Sequence, residues 1–329
     1  SEEYLTRQLD GLDAAELDVE VFAHPDFAAT HPALAGKLTV TPMPFAVGGR
    51  AARIALEHSW LAVQARGSDV VHHGGGTTPL YGPRPEVLTV HDLQYRAFPE
   101  YFSRSRLAYL ELMLPRSARS AAVVAVPSQF VRSEVIDAFG VEPEHVVVVP
   151  HGVPDLPTPG DDAIADARRR FGLGDRPFVV YPAITHPHKA HQVLVDAIDH
   201  LDDVTLVLLG GEGAAECDLA RRIEASAQRD RIIRIGRVSS EDRDVLIAAA
   251  DVLAFPSEFE GFGAPVVEAM ALETPVVAST SGALVEVVGD AGVVVAEPTG
   301  EAWAAGIDEA LGRSDTLIAA GLRRRAAYT

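Results

Sequence analysis

Short, unbroken apolar runs such as Val146-Val147-Val148-Val149 and Thr205-Leu206-Val207-Leu208-Leu209 recur along this chain, each parted from the next by a helix-length segment. A strand that is apolar on both faces must be covered on both, and a parallel sheet with helices on either side does this. Six such runs lie in the first part of the chain: Val19 to Phe22, Leu38 to Thr41, Asp69 to His72, Val87 to His91, Ala122 to Val126 and Val146 to Val149. Six more follow: Phe178 to Tyr181, Val204 to Leu209, Arg231 to Ile235, Asp251 to Phe255, Pro275 to Ala278 and Gly292 to Val295. The Pro/Gly/Asp-rich passage from Pro154 to Asp162 reads as the linker between them. The expectation is an α/β protein of two doubly wound, Rossmann-like domains, residues 1–154 and 155–313, with a last helix beginning over 314–329. Ligands of such sheets sit outside the carboxyl ends of the strands, here in the cleft between the domains.

A chain of 329 residues suits two domains of about 150 each. Its charged fraction of 23% and hydrophobic fraction of 47% exclude disorder. The single cysteine, Cys217, forms no internal disulfide, and no apolar run is long enough to span a bilayer, so the expected location is the cytoplasm. A net charge of -19 argues against nucleic acid as the main partner and leaves room for a small anion. Only Lys37 and Lys189 are lysines, against 26 arginines, so Lys189 stands out from a strong compositional bias.

The most informative segment runs from Ser257 to Met270, Ser-Glu-Phe-Glu-Gly-Phe-Gly-Ala-Pro-Val-Val-Glu-Ala-Met. Gly261 and Gly263 let backbone approach a ligand closely, and Pro265 suits the first turn of a helix that starts near Ala264. The free N–H groups and positive end of that helix form a site for an anion such as a diphosphate. Glu260 precedes the helix and Glu268 lies within it, so the two carboxylates can converge on one ligand.

This segment resembles the E-x7-E motif of family-4 retaining glycosyltransferases of the GT-B fold, and further matches follow in order along the chain. Val90-His91-Asp92 resembles the family's strand-end histidine, and Val126-Pro127-Ser128 its serine turn. Val149-Pro150-His151-Gly152-Val153 resembles P-N-G-V, with His151 where asparagine is usual. Pro187-His188-Lys189 resembles the P-x-K that sets a lysine on the diphosphate, and Leu209-Gly210-Gly211-Glu212-Gly213 the glycine turn.

The resemblance implies transfer of a hexosyl group from a nucleotide sugar to an acceptor hydroxyl with retained configuration, using neither metal nor cofactor. Charge building on the leaving diphosphate would be met by Lys189 and the helix terminus at Gly263 and Ala264. Glu260 would accept hydrogen bonds from the transferred sugar, Glu268 from the ribose, and the amides of Phe262 and Gly263 would hold sugar and phosphate. The family arginine five residues before the lysine is Ile184 here, with His186, His188 or Thr185 as substitutes. Gly211 joins the donor site, and the nucleobase is expected near Arg237 and Val238. His91 would face the sugar opposite the leaving group, and His72, His73, Gly74 and Gly75 would form the acceptor side.

Among hexosyl donors, GDP-mannose is favoured because the Val90 to Tyr95 and Tyr181 to Lys189 variants look like bacterial mannosyltransferases of polysaccharide assembly. UDP-glucose or UDP-GlcNAc is the alternative donor, and a sugar-nucleotide epimerase or a synthase on the same fold the alternative enzyme. A non-catalytic GT-B subunit that binds nucleotide sugar is the reading outside enzymes. The acceptor is a sugar, glycan or lipid-linked hydroxyl. The segment Arg104 to Arg119, with Arg104, Arg106, Arg116 and Arg119, is either an ordinary amphipathic surface helix or a basic face for an anionic lipid at the membrane surface; Pro115 is expected to kink or break it. Family members start with a strand and glycine-rich turn before the Glu-Glu-Tyr helix and end with a helix returning to the first domain. The resemblance thus implies a chain trimmed at both ends.

Overall fold

The apolar runs form parallel strands in the computed structural model, which describes residues 2–12, 16–46, 48–82 and 84–328, the side chains of Glu2, Glu3 and Arg50 excepted. Thr329, the last residue of an expected helical stretch, lies outside the described residues, as does Ser1. The strands are β1 (Glu20–Ala23), β2 (Thr39–Pro42), β3 (Val71–His73), β4 (Glu86–Thr89), β5 (Val123–Val126), β6 (Val146–Val148), β7 (Phe178–Pro182), β8 (Thr205–Leu209), β9 (Ile232–Gly236), β10 (Val252–Phe255), β11 (Val276–Ser279) and β12 (Gly292–Val295). They divide between two units, Ser1–Gly152 and Val153–Thr329.

In the first unit β3-β4-β5-β6 form a four-stranded sheet, while β1 and β2 pair apart from it in a two-stranded one. Glu20, Thr39 and Thr41 are polar, the two strands stay partly exposed, and the Thr41 hydroxyl bonds the Glu20 carboxylate across them. Such strands suit a separate ribbon better than the centre of a sheet. The core of this unit gathers Leu88, Val90, Leu93, Val124, Val126, Val131 and Phe139. Ser128 caps the helix Gln129–Phe139, its hydroxyl accepting from the Val131 N–H at 3.2 Å. The Arg104–Ser120 helix runs unbroken through Pro115, against the expected break. Pro115 removes one backbone hydrogen bond, but the same helix buries Met113, Leu114, Ser117 and Ala118 around it, and that packing outweighs the lost bond.

The second unit is a six-stranded parallel sheet in the order β12-β11-β10-β7-β8-β9. The order reverses between β10 and β7, and ligands of such open α/β sheets sit at that point, outside the carboxyl ends of the strands. Phe178, Val179, Val180 and Tyr181 on β7 are completely buried, as strands covered on both faces must be. The helices His191–Ile198 and Gly300–Gly312 pack together, as do Asp161–Arg170 and Ser240–Ala248. The last helix, Ser314–Arg325, lies against Ala264–Ala271, and beyond it the Tyr328 carbonyl accepts from the Val153 N–H at 2.7 Å. Among the described residues no helix is long and apolar enough to cross a membrane.

Candidate functional site

Lys189 is fixed by the turn that follows β7. Its N–H donates to the His186 carbonyl at 3.0 Å, and its own carbonyl accepts from the Tyr181 hydroxyl at 2.9 Å. Tyr181 is completely buried and its hydroxyl also lies 3.1 Å from Ser257 Oγ, at the end of β10. The Glu258 N–H donates to the His188 carbonyl at 2.8 Å, so the segments after β7 and β10 are bonded to one another across the switch point. This brings the Lys189 ammonium into an ion pair with the Glu260 carboxylate, at side-chain exposures of 19% and 14%.

Glu260 is held by its backbone. Its carbonyl accepts from the Ala283 N–H at 2.9 Å, and Gly282 passes so close that a Cβ there would stand 2.3 Å from that oxygen. Gly282 also has φ +62, so a side chain is excluded on two counts. The helix Ala264–Ala271 begins after Gly263, itself at φ +88 with Leu284 filling the place of a Cβ. Pro265 occupies the first turn. Phe262 is buried, its ring edge-on to Tyr328 with centroids 5.4 Å apart. Glu268 is only 2% exposed and faces Arg243 at 3.8 Å. The two glutamates of the motif therefore each have a cation of their own.

The glycine turn after β8 packs on the loop after β7. A Cβ on Gly210 would strike the Ala183 carbonyl at 2.2 Å and one on Gly213 the Thr185 carbonyl at 2.5 Å. The Thr185 hydroxyl donates to Glu216 at 2.8 Å and accepts from the Gly213 N–H at 2.7 Å, so it is committed to the turn and does not stand in for the arginine replaced by Ile184. His186 and His188 stack with centroids 5.9 Å apart. Burial, with Lys189 beside it, lowers the His188 pKa to about 4, so that ring is neutral at pH 7 and supplies no second charge. Arg237 follows β9, exposed, and Val238 beside it is half-buried.

The first-unit residues gather around Tyr4, which is 3% exposed. Its ring meets His91 edge-on at 5.1 Å and His151 at 4.3 Å. His91 lies just past β4 and its Nε2–H donates to the Gly74 carbonyl at 3.1 Å; burial lowers its pKa to about 4. His151 is lowered further, to about 3, mainly by burial. His72 Nε2 lies 2.7 Å from Thr89 Oγ1. Neighbouring side chains on a strand point to opposite faces. His73 accordingly turns away from His72, into contact with the buried Glu86 at 3.4 Å. Gly74 has a packing role, since a Cβ would stand 2.3 Å from Leu5, whereas Gly75 has open space.

Residues 164–325 match the family profile described as Glycosyl transferases group 1, and residues 1–155 that of Glycosyltransferase Family 4. The chain belongs to the group 1, family-4 glycosyltransferases. Its fold is accordingly GT-B. HepE of Anabaena, crystallised with UDP and glucose, superposes on this glycosyltransferase with a TM-score of 0.77 at 22% identity, over 100% of this chain and 91% of that one. The O-antigen chain mannosyltransferase B of Escherichia coli is 32% identical over 232 residues, 69% of this chain and 61% of the relative. A GDP-mannose-dependent alpha-(1-6)-phosphatidylinositol monomannoside mannosyltransferase of Mycolicibacterium smegmatis is 34% identical over 207 residues, 58% and 49% of the two chains. The match thus spans about half to three fifths of these relatives' length.

Several supporting residues of this glycosyltransferase escape sequence reasoning. Tyr181 and Ser257 fall inside motif segments without a role of their own, and neither Gly282, one glycine among 27, nor Arg243 stands out in the sequence. Each acts through a partner distant in sequence, for which a local pattern carries no signal.

Proposed function

We propose that this glycosyltransferase moves a mannosyl group from GDP-mannose to a hydroxyl of a glycan, lipid-linked or small-molecule acceptor, with retention at the anomeric carbon and without a metal ion. The supporting observation is the Lys189–Glu260 pair beside the start of the helix Ala264–Ala271. Without donor the two charges satisfy each other. A diphosphate competes for the ammonium and for the free N–H groups of the helix, which releases the carboxylate to accept from sugar hydroxyls. As the bond from the anomeric carbon to the diphosphate oxygen breaks, the acceptor oxygen bonds to that carbon on the same face, and its proton passes to the departing phosphate. Lys189 and the helix terminus stabilise the charge that develops on the diphosphate. The mannosyltransferase relatives support the choice of sugar.

The test is a thermal-shift titration with GDP, UDP, ADP and their sugars, since a ligand at about 100 times its dissociation constant stabilises by about 2.7 kcal/mol. Selective stabilisation by GDP-mannose, abolished in Lys189→Ala and indifferent to EDTA, is the expected result. A response to UDP-sugars alone transfers the donor assignment, and no response to any nucleotide overturns the reading. The anomeric configuration of the product, read by NMR, decides retention.

A further inference from the structure

Resting on the donor-site reading above, we propose that Arg237 supplies the second cation of the diphosphate site, taking the place of the family arginine that is Ile184 in this chain. The glycine turn after β8 connects the two positions. At one end of it a Cβ on Gly213 would lie 3.1 Å from Ile184 Cγ2, and the Thr185 N–H donates to the Gly211 carbonyl at 3.2 Å. At the other, a Cβ on Gly211 would lie 3.7 Å from both Nε and Nη2 of Arg237. The Gly210 N–H donates to the Gly236 carbonyl at 2.8 Å, which fixes the turn before Arg237 against the same glycines. Arg237 therefore brings a guanidinium to the turn that Ile184 flanks, from the next strand instead of from the preceding one.

The other cations nearby are already engaged. Arg234 on β9 is ion-paired with Glu216, which also receives the Thr185 hydroxyl, and Arg243 is bonded to Asp244 at 2.8 Å and faces Glu268. Lys189 is paired with Glu260. Among the described residues the Arg237 guanidinium has no hydrogen bond or ion pair and is exposed at the carboxyl edge of the sheet. Glycine at 211 leaves its face open, so a phosphate can approach backbone and guanidinium together. Guanidinium presents paired N–H donors that match phosphate oxygens, and such charge-assisted bonds are the strong ones.

Calorimetric titration of the whole chain and its variants with GDP, GMP and guanosine, and with the uridine series, separates the alternatives. Arg237→Ala is expected to weaken the nucleoside diphosphate about tenfold and to leave the nucleoside unchanged. Adding Ile184→Arg to Arg237→Ala is expected to restore diphosphate affinity, because both positions flank the same turn. Equal weakening of diphosphate and nucleoside makes Arg237 a base contact and overturns the proposal, as does an Arg237→Ala variant that binds like the parent. If the parent chain binds no nucleoside diphosphate, the donor-site reading falls and this proposal with it.

Discussion

Lys189 and Glu260 are a pair in which each member keeps the other's charge compensated in a partly buried setting. Removing one leaves an uncompensated ion, so Lys189→Ala is expected to lower turnover with a nucleotide-sugar donor by about a hundredfold or more, a magnitude typical of losing one electrostatic contact to a developing oxyanion. Steady-state kinetics check this, and kcat should fall more than the apparent affinity for the acceptor. Glu260→Gln keeps the shape but loses the charge; it is expected to lower kcat at least tenfold, while nucleoside diphosphate binding, read by calorimetry, holds or tightens because Lys189 is freed from its partner. Weaker diphosphate binding in Glu260→Gln would show that the pair does not compete with the donor. Sequence alone singles out both residues, Lys189 by its rarity and Glu260 by its glycine-rich setting. That they touch is decided by the two loops, and by hydrogen bonds such as Glu258 to His188 that no local pattern encodes.

The elements that carry these residues are positioned by glycines in tight contact with their neighbours. Gly282 is the clearest case, with φ +62 and the Glu260 carbonyl where its Cβ would be. Gly282→Ala is expected to cost about 1–3 kcal/mol of stability and to lower activity by displacing Glu260. Gly312→Ala, at a helix end with nothing within 4 Å of its Cβ, is the control that changes neither. Thermal melts and turnover on both variants make the comparison. The strand positions are legible in the sequence because a continuous β-branched run is a local signal, and β12 coincides with the expected Gly292 to Val295. The separation of β1 and β2 from β3 to β6 is not legible, because it depends on which edge each strand finds. Nor is the continuity of the helix through Pro115, where burial of Met113 and Leu114 prevails over a local rule.

At the scale of the whole molecule, histidines buried or half-buried in the fold set the response to acid. Burial lowers His73, His91, His188 and His191 to about 4 and His151 to about 3. The unfolded chain takes up these protons near pH 6.5 whereas the folded chain does not until about pH 4, so stability is lost as pH falls through that window. Each such histidine contributes up to about 1.4 kcal/mol per pH unit. Melting temperature is expected to hold from pH 8 to 7 and to fall steeply below about 6.5; a level profile down to pH 5 would contradict the buried, neutral assignment. In the second unit, the reversal of strand order between β10 and β7 has a consequence for descent. The turns bearing Lys189, Gly211, Arg237 and Glu260 all leave one rim of the sheet, while Phe178, Val180 and Leu253 lock the strands beneath them. On the proposed donor-site reading, donor preference can therefore drift by rewriting the rim, one turn at a time, while the sheet beneath stays intact.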